Sequence, residues 1–370
     1  MPAERSILIT GATGLLGRAV LARLLAADSR LRAFALVRDA GAWSRVASAL
    51  GDHSRIIPVQ GDLRDDALGL APNVRATICR NVTAIVHLAA DTTFSNPLDR
   101  ARAVNTAGTQ RVLELAADCA SSVRFAYVST AFVAGRRTGE IAEDAHPATA
   151  GWVNAYEQSK HEAEQLVREQ APSWMILRPS TVVCDDGDGQ VTQMNAVHRA
   201  LRLYHSGLVP MMPGVAGSTV DVVTTAFVAD AIARLALRDE LSGKVVHLCA
   251  GAGALPLDEL LDITYARWAT DSTWRRRGIA RPALTDLATY SLFERTLEDV
   301  GDASLKRITR ALSHFVPQLA LPKTFDTTNA DALLGHAAPP VRDFWLPMLD
   351  HLLALLCSAN RCSGLIERAA

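Results

Sequence analysis

The eight residues Thr10-Gly11-Ala12-Thr13-Gly14-Leu15-Leu16-Gly17 restrict the fold more than any other stretch of this chain. They follow a short apolar run, Ile7-Leu8-Ile9, and precede an amphipathic stretch over 18–27, so three glycines stand between a candidate strand and a candidate helix. Strand, tight turn and helix N-terminus together make a seat for a pyrophosphate, because the first N–H groups of a helix have no acceptor within it. In that geometry Gly11 permits the turn, Gly14 the approach of backbone to phosphate, and Gly17 the close packing of helix on strand. Glycine turns that bind nothing share this spacing, so the reading depends on the rest of the chain.

Strand-like and helix-like stretches alternate after the turn. Strands are expected near 7–10, 33–37, 56–60, 84–88, 124–129, 175–178 and 245–249, with amphipathic stretches at 19–27, 106–119 and 157–170 between them. This rhythm predicts an α/β fold, a doubly wound parallel sheet of the Rossmann type wrapped by helices. Ligands of such sheets gather beyond the carboxyl ends of the strands, where the strand order reverses. The glycine turn, Arg38, Asp62, Ala89 and Thr130 all fall at expected strand ends. From Cys184 the pattern changes: a loop at 185–189, a helix at 193–206 and an apolar loop at 210–214. One strand (219–223) and one helix (224–237) then return to the first part, and mostly helical stretches without strand rhythm follow Gly253. We expect residues 1–185 plus 219–251 to form the dinucleotide-binding domain, interleaved with a mainly helical substrate-binding part, 186–218 plus 252–370.

Composition excludes several function classes. The formal net charge of −1 gives no bulk pull toward nucleic acid or an anionic membrane. Six scattered cysteines lack a CxxC pair and metal-ligand spacing with histidine, which suits a reducing compartment and no metal site. The apolar stretch 346–357 carries Asp350 and His351 and is too short to span a bilayer. A strand beginning by residue 6 leaves no room for a signal peptide, so a cytoplasmic protein without a membrane span is expected.

Tyr156-Glu157-Gln158-Ser159-Lys160 is the second key stretch. Tyrosine and lysine four apart on a helix lie on one face, one turn from each other. An ammonium there favours the phenolate and would lower the tyrosine from about 10 toward working pH, fitting it for acid–base work on a carbonyl or alcohol. Two surface residues of an amphipathic helix would give the same pattern. Ser129-Thr130 upstream, and the glycine turn before it, make the chemical reading the better one.

At these positions the sequence resembles the extended short-chain dehydrogenases/reductases. The likeness covers roughly 6–250 and rests on TGATGLLG at 10–17, GDL at 61–63, HLAA at 87–90, VNTAGT at 104–109, YVST at 127–130, YEQSK at 156–160 and RPS at 178–180. Within that family it is most similar to the thioester-reductase and fatty-acyl-reductase (male-sterility-like) branch, through LVRD at 36–39, HLAADTTF at 87–94, and VSTAFVAG at 128–135 with Gly139-Glu140-Ile141 and Glu143. The resemblance implies that Thr130 hydrogen-bonds the substrate oxygen, Tyr156 delivers a proton, and Lys160 tunes it and holds the nicotinamide ribose. It implies that Gly11, Thr13, Gly14, Leu15, Leu16 and Gly17 take the pyrophosphate, Asp62 and Leu63 meet the adenine, and Ala89 and Ala90 surround the ribose and phosphates. Asn105 would shape the active-site helix, and Pro179 to Thr181 would lie near the nicotinamide. Bland roles stay open: Asn105 as a cap for the following helix, Asp62 as the start of a turn.

Cofactor choice turns on the end of the second strand, where an acidic residue suits NAD and an arginine suits the 2′-phosphate of NADP. Arg38 stands there and Arg18 follows the third glycine, so NADPH is expected; Asp39, if turned inward, would repel that phosphate. The substrate side is less legible. Met194, Tyr204, Met211 and Met212 would line an apolar channel or belong to the core, and His198 reads as structural. Trp274-Arg275-Arg276-Arg277 with Arg281 is a local basic cluster, either a solvated face or a contact for the phosphates of coenzyme A, phosphopantetheine or an acidic carrier protein. The stretch 325–329 reads as a turn leading into a short helix, and 346–357 as a packing helix.

The expectation is therefore an NADPH-dependent reductase carrying hydride to a carbonyl, first an acyl thioester on coenzyme A or an external acyl carrier protein, giving aldehyde or alcohol. A ketone reductase or hydroxyl dehydrogenase of a free sterol- or flavonol-like molecule is the alternative. A nucleotide-sugar epimerase and a non-catalytic NADP sensor fit the residues less well.

Overall fold

Strands covered on both faces carry unbroken apolar runs, and Ser6–Thr10 and Arg124–Val128 are buried along their whole length. The computed structural model describes residues 5–50, 53–119, 123–215, 217–300, 306, 313 and 316–366. The first half runs β1 (Ser6–Thr10), α1 (Leu15–Ala27), β2 (Arg32–Val37), α2 (Ala40–Leu50), β3 (Ile56–Gln60), α3 (Pro72–Asn81), β4 (Val82–His87), α4 (Leu98–Asn105), α5 (Ala107–Asp118) and β5 (Arg124–Val128). Then come β6 (Gly139–Ile141), α6 (Ala155–Gln170), β7 (Trp174–Pro179), β8 (Thr181–Cys184), α7 (Ala196–His205), β9 (Met211–Pro213), β10 (Thr219–Val220), β11 (Val222–Thr224), α8 (Thr225–Leu235) and β12 (Lys244–Leu248). The remainder holds β13 (Leu255–Pro256), α9 (Leu257–Trp268), α10 (Ser272–Arg276), β14 (Ala283–Thr285), α11 (Leu287–Val300), β15 (Lys323–Phe325) and helices Thr328–Leu334 and Val341–Ile366.

Seven strands form one parallel sheet in the order β12-β7-β5-β4-β1-β2-β3. The chain builds β1, β2 and β3 in one direction and then crosses to β4 on the other side of β1. The order thus reverses between β1 and β4, and a crevice opens beyond their carboxyl ends. Successive side chains of β1 enter opposite cores: Ile7 and Ile9 pack with α1 and α8, and Leu8 packs with α3, α5 and α6. Helices cover both faces of the sheet, as the doubly wound reading expects, and short strands β8, β9, β11 and β13 add Val183, Met212, Val222, Val223 and Leu255 to the larger core.

Several boundaries differ from the sequence reading. Helix α1 starts at Leu15, not at 18, because Gly17 without a side chain lets the first turn pack onto the loop. The helix expected over 106–119 is preceded by α4, and the two meet at Thr106. The single strand expected over 219–223 is two: β10 pairs with β13 and β11 with β8. Between them the Asp221 carboxylate accepts the N–H groups of Ala250 (2.8 Å) and Gly251 (2.9 Å). The apolar loop at 210–214 contains β9, which pairs with β14, and β15 pairs with β6. Strands of two or three residues are too short to show a period, which is why the region after 253 reads as helical. Helix Val341–Ile366 buries Val341, Phe344, Trp345, Met348, Leu349 and Leu352 in the larger core, so 346–357 does pack. Cys79, Cys119, Cys184 and Cys249 are free thiols, and the side chains of Cys357 and Cys362 lie outside the described residues. Among the described residues no helix is long and apolar enough to cross a membrane.

Candidate active site

The glycine turn lies at the reversal of strand order. Gly11 adopts φ +74°, and a Cβ on it would stand 2.8 Å from the Ala89 nitrogen; a Cβ on Gly17 would stand 2.0 Å from the Gly11 oxygen. Those contacts press the end of β4 and the start of α1 onto the turn and leave room for neither side chain. Gly14 precedes the helix without a side-chain cap, and Thr13 and Gly14 are exposed. Within the turn, the Gly14 N–H meets Gly11 O (3.0 Å) and the Arg18 N–H meets Gly14 O (3.1 Å). An exposed, side-chain-free helix N-terminus in this crevice fits a pyrophosphate.

Behind the turn runs a buried polar chain. Thr10 Oγ1 accepts the Ala89 N–H (3.1 Å) and lies 2.6 Å from His87 Nδ1; His87 Nε2 lies 3.0 Å from Thr109 Oγ1, which donates to Asn105 O (2.6 Å). With the Thr109 proton spent on that carbonyl, His87 donates from Nε2 and accepts from Thr10 at Nδ1, a neutral imidazole. Burial, with the Lys160 charge, pushes its pKa down to about 3, in keeping with that tautomer.

At the adenine end the side chains are placed as follows. Arg38 is exposed at the end of β2 and lines, with Phe34, Gly61 and Asp62, a groove of about 680 Å³. Asp39 is turned to the start of α2, its Oδ1 accepting the Gly41 N–H at 2.7 Å, and so is engaged away from the groove. Asp62 makes the turn its type favours: it accepts the Arg64 N–H (2.9 Å) and pairs with that guanidinium (2.7 Å). The Leu63 side chain is core, packed under Gly108. Arg18 does not join Arg38; it donates to Thr192 Oγ1 (3.3 Å) in the loop before α7.

Thr130, Tyr156 and Lys160 converge at the carboxyl end of β5. Thr130 is the second residue after Val128, where that strand ends, and its Oγ1 accepts the Phe132 N–H (3.3 Å), opening a short 3-10 turn over Ala131–Ala134. Tyr156 sits in the first turn of α6, which Asn154 caps by accepting the Glu157 N–H at 3.0 Å. Its ring packs 5.3 Å from that of Phe94, which in turn meets Phe132 at 6.3 Å. Asn105 does not cap α5. Its amide accepts from the Asp91 N–H (2.8 Å) and donates to Asp91 O (3.0 Å) and Ser159 Oγ (2.9 Å), tying the Phe94 loop to α6.

The electrostatics differ from the sequence expectation. Lys160 Nζ donates to Val128 O (2.8 Å) and lies 4.1 Å from the centre of the Tyr127 ring, so its charge faces β5. Burial pushes the Tyr156 phenol up to about 12, against a smaller downward pull from its hydrogen bond with Thr130. Burial also pushes Lys160 down to about 7, with Glu164 opposing. Spacing had placed the ammonium against the phenol; burial of both groups decides instead. A phenol held protonated is a proton donor rather than a base.

One turn beyond Lys160, Glu164 is fully enclosed with Arg178 of β7, which donates from Nε (2.8 Å) and Nη2 (2.6 Å). Arg178 Nη1 reaches His146 Nε2 (2.9 Å) and His247 Nε2 (3.3 Å). Pro179 ends β7 opposite Leu248, and Thr181 faces a small cavity of about 40 Å³ shared with Phe132, Asp221, Gln318 and Lys323. Sequence reasoning missed Phe94, Phe132, Glu157, Gln318 and Lys323 as neighbours of the site. The first three lie inside quoted motifs, whereas no local signal marks the last two.

His198 is structural, closing a capping box with Asn195 and meeting Val183 O at 2.7 Å. Tyr204 belongs to an aromatic cluster with Trp268 and Trp274, not to a channel. Within the basic cluster Trp274 is buried, Arg277 binds the His205 and Ser206 carbonyls and Arg281 pairs with Asp262, which leaves Arg275 and Arg276 exposed.

The NAD-binding family model described as Male sterility protein matches residues 9–232. The chain belongs to that family. It is an extended short-chain dehydrogenase/reductase of the thioester-reductase branch, and its family binds a nicotinamide dinucleotide. A highly reducing polyketide synthase, calA of Penicillium decumbens, is 29% identical over 270 residues, 69% of this chain and 9% of the synthase. Fatty acyl-CoA reductase 8 of Arabidopsis thaliana is 30% identical over 167 residues, 38% of this chain and 33% of that protein. The chain thus spans a minor part of these relatives. Among solved structures, the terminal R domain of the myxalamid PKS-NRPS pathway is 26% identical with a TM-score of 0.77, over 96% of this chain and 92% of that one. A UDP-glucuronic acid 4-epimerase from Bacillus cereus, 18% identical at a TM-score of 0.63, shares the fold alone.

Proposed function

We propose that this chain is an NADPH-dependent reductase acting on the carbonyl of an acyl thioester, carried on coenzyme A or on a carrier protein. The observation that carries the reading is the Tyr156 phenol, hydrogen-bonded to Thr130 at the mouth of the crevice that opens beside the glycine turn. Similarity to fatty acyl-CoA reductases and to a terminal R domain supports a thioester over a free ketone. The exposed Arg38, with Asp39 engaged elsewhere, supports NADPH over NADH.

A nicotinamide dinucleotide held in the crevice would supply hydride to the carbonyl carbon; the other roles fall to residues of this chain. Gly11, Thr13, Gly14, Leu15, Leu16 and Gly17 would seat the pyrophosphate, Arg38 the 2′-phosphate, and Asp62 with the backbone at Leu63 the adenine side, while Arg18 stays with Thr192. Ala89, Ala90, Pro179 and Thr181 line the remainder, Lys160 holds the ribose side, and Asn105 holds α6 in place. Thr130 orients the substrate oxygen and Tyr156 gives it a proton as negative charge develops there. The resulting hemithioacetal then expels its thiol and leaves an aldehyde. The part spanning 186–218 plus 252–370 covers the acyl group. Loss of NADPH absorbance with an acyl-CoA and not with ketones is the expected result. Turnover of ketones alone would replace this reading with that of a ketone reductase, and tight NADPH binding without turnover of either with that of a sensor.

A further inference from the structure

The two hydroxyl groups of the site stand on separate elements, the turn after β5 and the first turn of α6. Lys160 Nζ joins α6 to Val128 O (2.8 Å) at the end of β5, and Arg136 joins the far side of the turn to Gly151 O and Trp152 O (both 3.0 Å). The structure also ties both elements to one buried cation from the far end of the chain. Lys323 on β15 donates from Nζ to Gly135 O (2.6 Å) and to Gln318 Oε1 (2.9 Å). Gly135 ends the turn that Thr130 begins, at φ +59°, and a Cβ there would stand 2.2 Å from Gly151 O. Gln318 passes the contact on, donating from Nε2 to Glu157 Oε1 (2.6 Å). Glu157 follows Tyr156 directly; its Oε2 accepts the Val153 N–H (2.9 Å) and its Oε1 accepts from Asn154 Nδ2 (3.1 Å), so it closes the N-terminus of α6. Pairing of β15 with β6 sets the register, with Lys323 opposite Gly139.

We propose that Lys323, through Gln318 and Glu157, is a positioning residue that sets the distance between Thr130 and Tyr156. This rests on the reading of those two residues as the carbonyl-handling pair. Lys323, Gln318 and Glu157 are all buried, so none of them is spent on solvent. A surface tether would leave the ammonium to water. Burial pushes Glu157 up to about 7 and Lys323 down to about 8, each pulled back by the other's charge, among other contacts. Their separation by a glutamine keeps the pair from collapsing onto one another, while each end holds backbone of a different catalytic element. The C-terminal part therefore organises the chemistry as well as covering it.

Lys323→Met, which keeps the stem and removes the ammonium, tests this. The expected result is a fall in kcat of about tenfold to a hundredfold, the cost of misplacing reacting groups by an ångström or less, with NADPH affinity nearly unchanged; the thermal midpoint falls as well, because buried acceptors lose their ammonium. Amide hydrogen exchange should quicken together in 131–137 and 153–157. Gln318→Met keeps the Lys323–Gly135 bond, so it should lower kcat and quicken exchange in 153–157 only, and it decides the matter if the lysine variant does not fold. Unchanged kcat, or kcat loss matched by an equal loss of NADPH affinity at a temperature where the variant is folded, would overturn the proposal. If the parent turns over no carbonyl substrate, the functional reading fails separately; the exchange arm still decides the clamp, and quickening confined to one segment in Lys323→Met refutes it.

Discussion

Arg178→Met is the sharpest test of how α6 is held to the sheet. The substitution keeps an unbranched chain in the space but removes the bidentate contact to Glu164, at 2.8 and 2.6 Å, and the contacts to His146 and His247. Burial alone would raise the Glu164 pKa, but the Arg178 charge and hydrogen bonds reverse that and hold it at about 2 against an ordinary 4.5. A shift of that size corresponds to about 3 kcal/mol of net preference for the ionised carboxylate, after the opposing cost of burial and with smaller help from Ser129 and Arg168. Breaking one partner of a buried pair costs about 3–5 kcal/mol because the other charge is stranded. Arg168, 3.7 Å from Glu164, compensates in part, so we expect the lower end, about 3 kcal/mol at pH 7. The pH dependence has a definite sign. In the parent the folded pKa lies below the unfolded one, so this contribution is intact above 4.5 and is lost as pH falls toward 2. In the variant the stranded carboxylate has a raised pKa, and its penalty is relieved as pH falls through that value. Guanidinium unfolding of both proteins at pH 7 and pH 5 should therefore show a gap that narrows on acidification. A loss below about 1 kcal/mol, the size of an exposed pair, or a gap that does not change with pH, would refute the argument.

Further outcomes are expected at the site itself. Tyr156→Phe should abolish turnover while NADPH affinity, measured by quenching or calorimetry, stays near that of the parent. Arg38→Ala should weaken NADPH by about 1.5–3 kcal/mol with little effect on NADH, the loss expected for a charge-assisted hydrogen bond, and equal losses would end the phosphate argument. Gly17→Ala places a methyl 2.0 Å from the Gly11 oxygen, so the turn must open and dinucleotide binding should be lost before global stability collapses.

The sheet was legible because most of its strands are unbroken apolar runs; even the half-exposed edge strand 56–60 was read to the residue, and the others within one or two. Helix α1 was read three residues short because a glycine in a first turn looks like loop until the helix is seen packed against Gly11 O. Tyr156 and Lys160 were suggested as candidates by their spacing, since four residues on a helix is a fixed distance, and Thr130 by the family resemblance at 127–130. Their electrostatics were not, because the pKa of a phenol depends on how deeply it is buried, and spacing carries no burial. Lys323 was invisible for a further reason. It meets Gly135 across 188 residues, through the pairing of two three-residue strands, and no local pattern announces such a contact. Gln318 and Glu157 share that difficulty, although Glu157 lies in plain view inside the YEQSK stretch.

The most direct measurement is the fate of the hydride. NADPH carrying deuterium at the transferable position of its nicotinamide, incubated with an acyl-CoA, should yield an aldehyde with one deuterium on its carbonyl carbon. The label should vanish with Tyr156→Phe. Oxidation of the nucleotide with no deuterium in the acyl product, or equal labelling by the Tyr156→Phe protein, would contradict hydride transfer assisted by this phenol.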